Sequence, residues 1–451
     1  MSVISGISQR LAGLLLAACA LPAVAASTTL PVPNAGQTAL RIEGSNTLGA
    51  RLVPALVQGL MQQQGLQSIK VEELSQGSRI TGLTAANQPV PVEVISEGSG
   101  SGFTALSQSR AQLAASSRPI KDSEMQLLAN AGDMQSAQAE KVVALDGVAV
   151  IVHPNNPIAQ LSTEQLAAAF AGEVKTWEEL GASGGPIKIM ALDQLSGTFD
   201  TFNSGVLSPL GKQVSANAQR FSSHVTLAEN VVREPSAIGF VGLPFVGASK
   251  AVAIADGNAD ALKPQNELVA TEDYPLSRRL YFYVQPGESN AWAKALIEFA
   301  QSPAGQQLVA ANGFVSQEVR TLQVPVETQM PESYKQLASQ AKRLTVTFRF
   351  KEGQAKLDSK AQQDVQRIAD FIKANGKANK AVALVGFSDA KEDAARAELV
   401  SKLRAMAVRR ELGKAGIMPR DVQGLGQAMP VASNDVESGR IRNRRVEVWV
   451  Y

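Results

Sequence analysis

Residues 146–172 read DGVAVIVHPNNPIAQLSTEQLAAAFAG and join a short apolar strand to an amphipathic helix. Ser162 and Gln165 are spaced as a capping box, in which each side chain bonds the backbone N–H of the other residue. The same alternation of strand and helix continues from Leu40 to about Val326. This alternation predicts an α/β domain with an open, mostly parallel sheet, and the length of the segment favours a domain of two lobes.

A second, smaller unit follows a segment that contains Pro325 and Pro331. Its strands TVTFRF, AVALVGF and RRVEVWVY alternate with two helical stretches, which predicts a compact α+β module of βαβαβ type. The expected organisation is a signal peptide (1–26), a leader (27–39), a large domain (40–326), a linker (327–343) and a small domain (344–451).

The N-terminus resembles an export signal with two alternative processing sites. Its apolar run after Arg10 covers only about ten residues, too short to span a bilayer. LAAC (16–19) has the form of a lipobox, in which Cys19 would be acylated. AVA (23–25) instead has the form of a conventional signal-peptide cleavage site. We expect conventional cleavage, a periplasmic location and no transmembrane segment in the mature chain.

Charge is distributed unevenly along the 451 residues, although the net charge is only +2. Residues 343–451 carry 21 Lys and Arg against 13 Asp and Glu, and the remaining residues carry 22 against 28. The basic small domain therefore suits an anionic partner such as a cell-wall polymer, lipopolysaccharide or nucleic acid. Export argues against nucleic acid.

Residue types that support catalysis or metal binding are scarce. The chain has one cysteine, Cys19, and two histidines, His153 and His224, that are distant in sequence. Both histidines are interpreted as structural, and we expect no metal site, cofactor or catalytic residue. An enzyme such as a phosphatase is the least favoured function class.

Four predicted strand-to-helix junctions carry small hydroxyl and glycine residues. They are GSNT (44–47), GSGSG (98–102), SSRP (116–119) and SGT (196–198). Helix N-termini present free N–H groups, hydroxyls add donors, and glycine allows close backbone approach. One such junction is usually only a helix cap. Four at the carboxyl ends of parallel strands predict a cage for an oxyanion.

At these junctions the chain resembles the PstS-like periplasmic phosphate-binding proteins of ABC transporters. The likeness runs through IEGSNTL, GSGSGFTALSQSRAQLAASSRPIKDSE, LSGTFDTF and YPLSRRLYFYV. It implies a two-lobed type II solute-binding fold that closes on phosphate, and an ABC permease as a further partner. The phosphate-binding positions that it implies are Ser45, Asn46, Thr47, Ser99, Ser101, Ser117, Arg118, Ser196, Gly197 and Thr198.

This chain departs from the PstS pattern at several of its charged positions. An arginine common in the family is Leu192 here, and an aspartate found in some members is Gln194. The segment that carries another family aspartate has Ser117 and Arg118. Arg118 is therefore expected to replace the lost positive charge.

The small domain resembles the OmpA-like peptidoglycan-binding domain. The likeness rests on VGFSD, VSKLRAMAV and GRIRNRRVEVWV. It implies recognition of diaminopimelate in the peptide stem, whose ammonium and carboxylate suit an Asp–Arg clamp. The clamp maps to Asp389 and Arg404, with Asn443 and Arg445 as secondary candidates. A family asparagine is replaced by Ala397.

The sequence therefore predicts a periplasmic phosphate or oxyanion receptor that is moored non-covalently to peptidoglycan near the outer membrane. The alternative is a structural envelope protein whose solute-binding lobe has lost or changed its ligand. A non-covalent mooring would hold the protein in the envelope without acylation of Cys19.

Overall fold

A computed structural model describes residues 29–377, 380–390 and 392–451. The predicted signal peptide, including Cys19, lies outside these residues. Across the described ranges, none of the helices is both long enough and apolar enough to cross a bilayer.

The large domain is built from thirteen strands and ten helices. Its strands are β1 (Leu40–Gly44), β2 (Gln67–Leu74), β3 (Gly77–Leu83), β4 (Pro89–Ser96), β5 (Leu113–Ser116), β6 (Glu140–Val152), β7 (Gln160–Ser162), β8 (Lys188–Leu192), β9 (Gln219–Phe221), β10 (Ala237–Gly242), β11 (Lys250–Ala251), β12 (Ala253–Ala255) and β13 (Ser277–Tyr283). Its helices are α1 (Asn46–Gly49), α2 (Leu52–Gln63), α3 (Ser99–Ser107), α4 (Asp122–Leu127), α5 (Thr163–Ala171), α6 (Gly197–Phe202), α7 (His224–Arg233), α8 (Asn266–Ala270), α9 (Ala291–Gln301) and α10 (Pro303–Ala311).

One long strand joins the two lobes of this domain. The main sheet has the order β2-β3-β4-β1-β5-β13-β6-β10-β8-β9, and β11 also pairs with β6. The first half of β6 pairs with β13, and its second half pairs with β10. We call β1–β5, β13 and the first half of β6 the first lobe, and the second half of β6 with β7–β12 the second lobe. The chain crosses between them at Asp146–Gly147 and again just before Ser277.

The sheet is more mixed than the sequence predicted. Parallel pairing joins β1 to β4 and β5, and β8 to β9 and β10. In contrast, β2, β3 and β4 form an antiparallel meander. The connections between these three strands are short turns, which can join only antiparallel neighbours. The parallel strands still direct their carboxyl ends towards the cleft between the lobes.

The small domain has a five-stranded sheet packed against helices. Its strand order is β14-β15-β18-β16-β17. Its elements are β14 (Thr321–Leu322), α11 (Glu332–Gln340), β15 (Lys342–Arg349), α12 (Ser359–Ala374), β16 (Val382–Gly386), α13 (Ala394–Lys414), β17 (Asp421–Gly424), α14 (Glu437–Asn443) and β18 (Arg445–Val450).

The region predicted as a linker contributes to the core of this small domain. Helix α11 buries Tyr334 and Leu337 against Phe387 and Trp449 of the small-domain sheet. The Tyr334 hydroxyl also donates to the Glu447 carboxylate at 2.9 Å. Residues 332–340 are therefore an ordered helix that covers one face of the sheet.

Candidate functional site

Hydroxyl groups from both lobes meet at the centre of the cleft. Thr47, in α1 of the first lobe, lies 3.1 Å from Thr198, in α6 of the second lobe, between their Oγ1 atoms. Both residues are buried. Helix α1 starts two residues after the end of β1, and α6 starts five residues after the end of β8. The two threonines bring the predicted GSNT and SGT junctions together.

Arg278 of β13 brings a guanidinium to these threonines. Its Nη1 donates to Thr198 Oγ1 at 2.7 Å, and its Nη2 lies 3.5 Å from Thr47 Oγ1. On its other side, Nε and Nη2 donate to Asp146 Oδ2 at 2.9 and 2.5 Å. Asp146 is fully buried where β6 crosses between the lobes. The ion pair therefore holds Arg278 at the hinge and directs it at both lobes.

His224, the first residue of α7, completes this group. Its Nε2 lies 3.3 Å from Thr47 Oγ1 and 3.4 Å from Thr198 Oγ1. Its Nδ1 accepts from the backbone N–H of Gly242 at 3.2 Å, so the neutral ring carries its proton on Nε2. Burial, with Arg278 nearby, lowers the pKa of His224 to about 3. His224 is thus a neutral donor, which leaves threonine hydroxyl hydrogens able to bond a ligand.

The depressed pKa of His224 makes a testable contribution to stability. The unfolded chain protonates this histidine below about pH 6.5, whereas the folded chain resists protonation until about pH 3. The contribution is therefore complete above pH 6.5 and is lost as the pH falls towards 3. We expect His224→Asn, which keeps an acceptor for Gly242, to show a shallower fall in the free energy of unfolding between pH 6.5 and 4. Urea denaturation of both proteins measures it, and parallel curves would contradict it.

Serines of the GSGSG and SSRP junctions form the adjoining wall. Ser99 Oγ lies 3.3 Å from Ser117 Oγ and accepts from the Ser117 backbone N–H at 3.1 Å. Gly197 packs directly on this pair, because a Cβ there would lie 2.2 Å from Ser117 Oγ and 2.6 Å from Ser99 Oγ. Glycine at 197 therefore allows the second lobe to close on the serines of the first. We call Thr47, Ser99, Ser117, Gly197, Thr198, His224 and Arg278 the cage.

The remaining predicted positions border the cage in different ways. Ser45 and Ser196 cap the helices that follow them, by accepting from Leu48 N and Thr198 N. The Asn46 side-chain oxygen is buried and has no hydrogen-bond partner among the described residues. Ser101 instead donates to the Gly98 carbonyl at 2.9 Å.

Arg118 is committed to carboxylates beside the cage. Its Nη1 and Nη2 donate to the two oxygens of Glu124 at 2.7 and 2.6 Å. Its Nε donates to Asp200 Oδ2 at 2.8 Å, and Lys121 bonds the same oxygen at 2.9 Å. A direct role for Arg118 towards an anion stays a prediction. The guanidinium that contacts the cage hydroxyls is Arg278.

Two cavities flank the cage. One, of about 300 Å³, is lined by Asn46 and His224 and is bounded by the β2–β3 turn. The other, of about 660 Å³, lies between Arg278 and the small domain, whose Phe350 and Arg442 form part of its wall. Within the described residues, no cluster of three or more His, Cys, Asp or Glu side chains could hold a metal.

In the small domain, Asp389 and Arg404 lie near each other and are buried. Asp389 follows β16 and pairs with Arg444 Nη1 at 3.1 Å. Burial lowers the pKa of Arg404, and the Asp389 charge opposes that shift. The Arg404 Nη1 atom has no hydrogen-bond partner among the described residues. The arrangement offers a buried guanidinium donor beside a carboxylate.

Asn443 and Arg445, the secondary candidates, bond other residues of the small domain. Asn443 accepts from Val431 N and Ala432 N at 2.9 and 3.2 Å, which fixes the preceding loop. Arg445 donates to Glu447 at 3.0 Å and lies over the Phe387 ring, 3.8 Å from its centroid. Contact of either side chain with peptidoglycan stays a prediction.

Comparison with family models agrees with this architecture. A PBP superfamily domain matches residues 73–304, and the OmpA family matches residues 349–444. The chain belongs to the PstS family of the PBP superfamily. It also carries a C-terminal OmpA-family domain, so the predicted fold class and both predicted resemblances are confirmed.

Individual relatives match the large domain. The phosphate-binding protein PstS of Pseudomonas aeruginosa is 30% identical over 243 residues, which cover 50% of this chain and 74% of the relative. Protein SphX of Synechococcus elongatus is 31% identical over 242 residues, which cover 51% and 70%. Among solved structures, a putative phosphate ABC transporter substrate-binding protein from Clostridium perfringens with bound phosphate aligns with a TM-score of 0.50 at 23% identity. That alignment covers 61% of this chain and 98% of the other.

Proposed function

We propose that this protein is a periplasmic receptor for phosphate or a related tetrahedral oxyanion, moored non-covalently to peptidoglycan by its C-terminal domain. The observation that carries the anion half is the meeting of Thr47, Thr198, His224 and Arg278 between the lobes. The names of the PstS relatives support phosphate as the ligand. The OmpA-family match supports the mooring.

The chemistry of the cage suits an anion that is stripped of water. Arg278 supplies a positive charge, whereas His224 and the hydroxyls supply neutral donors. Because Asp146 neutralises Arg278 within the same buried site, recognition depends on many directed hydrogen bonds as well as on charge. Backbone N–H groups at the start of α3, where no side chain caps the helix, add further donors. None of these groups needs to undergo chemistry, so we propose a binding role without catalysis.

Isothermal titration of the full chain, stripped of phosphate, tests the ligand assignment. We expect saturable one-to-one binding of phosphate. The absence of heat with phosphate, sulfate and arsenate at millimolar concentrations would remove oxyanion binding from the proposal.

Substitution of Asn46 tests whether the cage can distinguish a protonated oxyanion from an unprotonated one. Hydrogen phosphate carries a proton that needs an acceptor, whereas sulfate at neutral pH carries none. Asp146 and Asp200 both pair with arginines, and the Asn46 side-chain oxygen is an acceptor at the cleft that has no hydrogen-bond partner among the described residues. We expect Asn46→Asp to raise the preference for phosphate over sulfate by about tenfold or more, because a carboxylate accepts that proton and repels sulfate. Competition titrations measure the ratio, with Asn46→Ala as control, and an unchanged ratio for Asn46→Asp would contradict it.

The mooring places the receptor in the cell wall, near the outer membrane. The small domain provides Asp389 and Arg404 as the clamp for a stem-peptide diaminopimelate. An ABC permease is a further proposed partner, which requires that a moored receptor can reach the inner membrane.

A second candidate function is a structural envelope protein whose solute-binding lobes no longer take a ligand. The observation in its favour is that Glu124 and Asp200 engage the Arg118 guanidinium, while Asp146 engages Arg278. A crystal grown with phosphate separates the two candidates. Anion density among Ser45, Ser99 and Ser196 supports a receptor, and an empty cleft supports a structural role.

A further inference from the structure

The small domain contacts both lobes across the hinge. On the second lobe, Arg343 and Arg349 pair with Asp273 at 2.9 and 2.7 Å, and Arg442 pairs with Asp256. Asp273 lies just before the chain crosses into β13, and Asp256 follows β12. Tyr274, next to Asp273, bonds the Val148 carbonyl at 2.9 Å and so ties this segment to the second half of β6.

Contacts with the first lobe come from the segment after α10, where Val315 bridges to Leu145 of β6 before β14 pairs with β15, and from the start of α12. Asp358 pairs with Arg279 at 2.6 Å, and Ser359 donates to Glu140 at 2.6 Å. The Gln301 amide also donates to Gln363 at 3.1 Å. Arg279 and Glu140 belong to β13 and to the first half of β6, which form the sheet of the first lobe. We call Asp358, Ser359 and Gln363 the latch.

The ion pairs of the two sets differ in side-chain exposure, although Ser359 of the latch is buried. Asp273, Arg343 and Arg349 are at most 8% exposed in their side chains, whereas Asp358 is 42% exposed. Burial raises the pKa of Asp273, but Arg343 and Arg349 outweigh it and hold the pKa below its usual value. Separating buried partners leaves uncompensated charges, while a half-exposed pair is readily replaced by water. The contact of Asp358 with the first lobe should therefore be lost more readily than the buried ion pairs with the second lobe when the lobes part.

The closed cleft and the latch occur together in this structure. Thr47 and Thr198, from opposite lobes, are in hydrogen-bond contact while Asp358 and Ser359 hold the first lobe. Arg278 of the cage and Arg279 of the interface are neighbours on β13. Opening by rotation about the hinge would carry β13 away from α12 and break the latch, because α12 is fixed to the small-domain core through Leu357, Ala361 and Val365.

We propose that the C-terminal domain acts as an intramolecular latch that stabilises the closed, anion-holding form of the cleft. The inference rests on the proposed oxyanion binding for its physiological meaning, although the latch itself is a property of the lobes. A domain that contacts both lobes in the closed form favours closure and slows the release of a ligand.

The test uses the full chain with Asp358→Asn, Ser359→Ala and Gln363→Ala combined. Asparagine at 358 can still cap α12, where Asp358 now accepts from the Ala361 N–H at 2.8 Å. The matched control is Gln366→Ala, since this exposed residue of the same helix bonds only Asp370 among the contacts described. We expect the triple variant to release phosphate roughly fivefold faster or more, and to bind it correspondingly more weakly. The control should match the wild type.

A second measurement does not depend on the identity of the ligand. Spin labels at Gln62→Cys in α2 and Glu164→Cys in α5, in a Cys19→Ser background, report the distance between the lobes by pulsed electron resonance. Without anion, the triple variant should show a longer and broader distance distribution than the control. If the wild type binds no phosphate, the proposed function fails while this measurement still decides the latch. An unchanged distribution in the triple variant would overturn the latch.

Discussion

Replacing Arg278 by glutamine is expected to weaken phosphate binding at least about 100-fold. Its guanidinium is the charged donor that reaches hydroxyls of both lobes, at Thr198 and Thr47. A hydrogen bond with a charged partner contributes about 1.5–3 kcal/mol, and each 1.4 kcal/mol is a factor of ten in affinity. Isothermal titration of the full chain measures the loss.

The partner of Arg278 supplies the control that separates binding from folding. Arg278→Gln leaves the Asp146 carboxylate buried without its cation, which should cost about 3–5 kcal/mol of stability. Adding Asp146→Asn removes the stranded charge, so the double variant should regain much of that stability without regaining affinity. If the double variant bound phosphate as tightly as the wild type, Arg278 would have only a structural role.

Lowering the pH should reduce the loss of stability that Arg278→Gln causes relative to the wild type. Burial raises the pKa of the Asp146 carboxyl, and Arg278 opposes that rise. Without Arg278 the folded-state pKa rises further above the unfolded value. A group of this kind favours the folded state at low pH, and its contribution is lost as the pH rises. Arg278→Gln should therefore be less destabilised relative to wild type at pH 5 than at pH 8, as measured by urea denaturation.

The sequence predicted the parts of the cage that come from strand-to-helix junctions. Thr47, Ser99, Ser117 and Thr198 follow strand ends, and the carboxyl ends of parallel strands meet at one edge by geometry. Local residue types were sufficient there, because a hydroxyl or glycine at a helix start has a recognisable position in the chain. The contacts between these junctions follow from the fold that the strand–helix alternation indicated.

The sequence patterns do not identify Arg278, Asp146 or His224 as residues of the site. Arg278 lies at the start of an antiparallel strand, 132 residues from the Asp146 that orients it. Only the β6–β13 register, which pairs these two residues, brings them together. The sequence indicates a structural role for His224, which lacks ligand-like neighbours in the chain, yet folding directs its Nε2 at Thr47 and Thr198. The one feature of the sequence that could have indicated Arg278 is its position as a charged residue inside the largely apolar strand SRRLYFYV.

Arg118 shows the opposite case, in which its position in the sequence does not indicate which side chains its guanidinium contacts. Its place beside Ser117 suggested a replacement for the charge absent at Leu192. The carboxylates that engage it, Glu124 and Asp200, come from α4 and α6. Whether a guanidinium faces a ligand or an acid depends on tertiary packing, which residue spacing alone does not determine.

In the small domain, Asp389→Ala combined with Arg404→Ala is expected to abolish co-sedimentation with purified peptidoglycan sacculi. A buried Asp–Arg pair can bind the ammonium and carboxylate of diaminopimelate together. Truncating buried charged partners at an interface typically costs about 2–5 kcal/mol each, so the combined loss exceeds roughly 100-fold. Pelleting of the full chain with sacculi, across a range of sacculus concentrations, measures the change.

The matched control for the clamp lies on the same helix. Arg410→Ala with Glu411→Ala makes the same change in charge at a surface pair of α13, where Arg410 is 70% and Glu411 is 25% exposed. This variant should pellet like the wild type. The clamp variant must also remain folded, because removal of Asp389 leaves the buried Arg444 with Glu437 as its carboxylate partner. Retained phosphate affinity and an unchanged circular dichroism spectrum would show that it does. Undiminished pelleting of a folded clamp variant would refute the assignment of Asp389 and Arg404, since the contrast with the surface pair isolates their buried geometry from the basic charge of the domain.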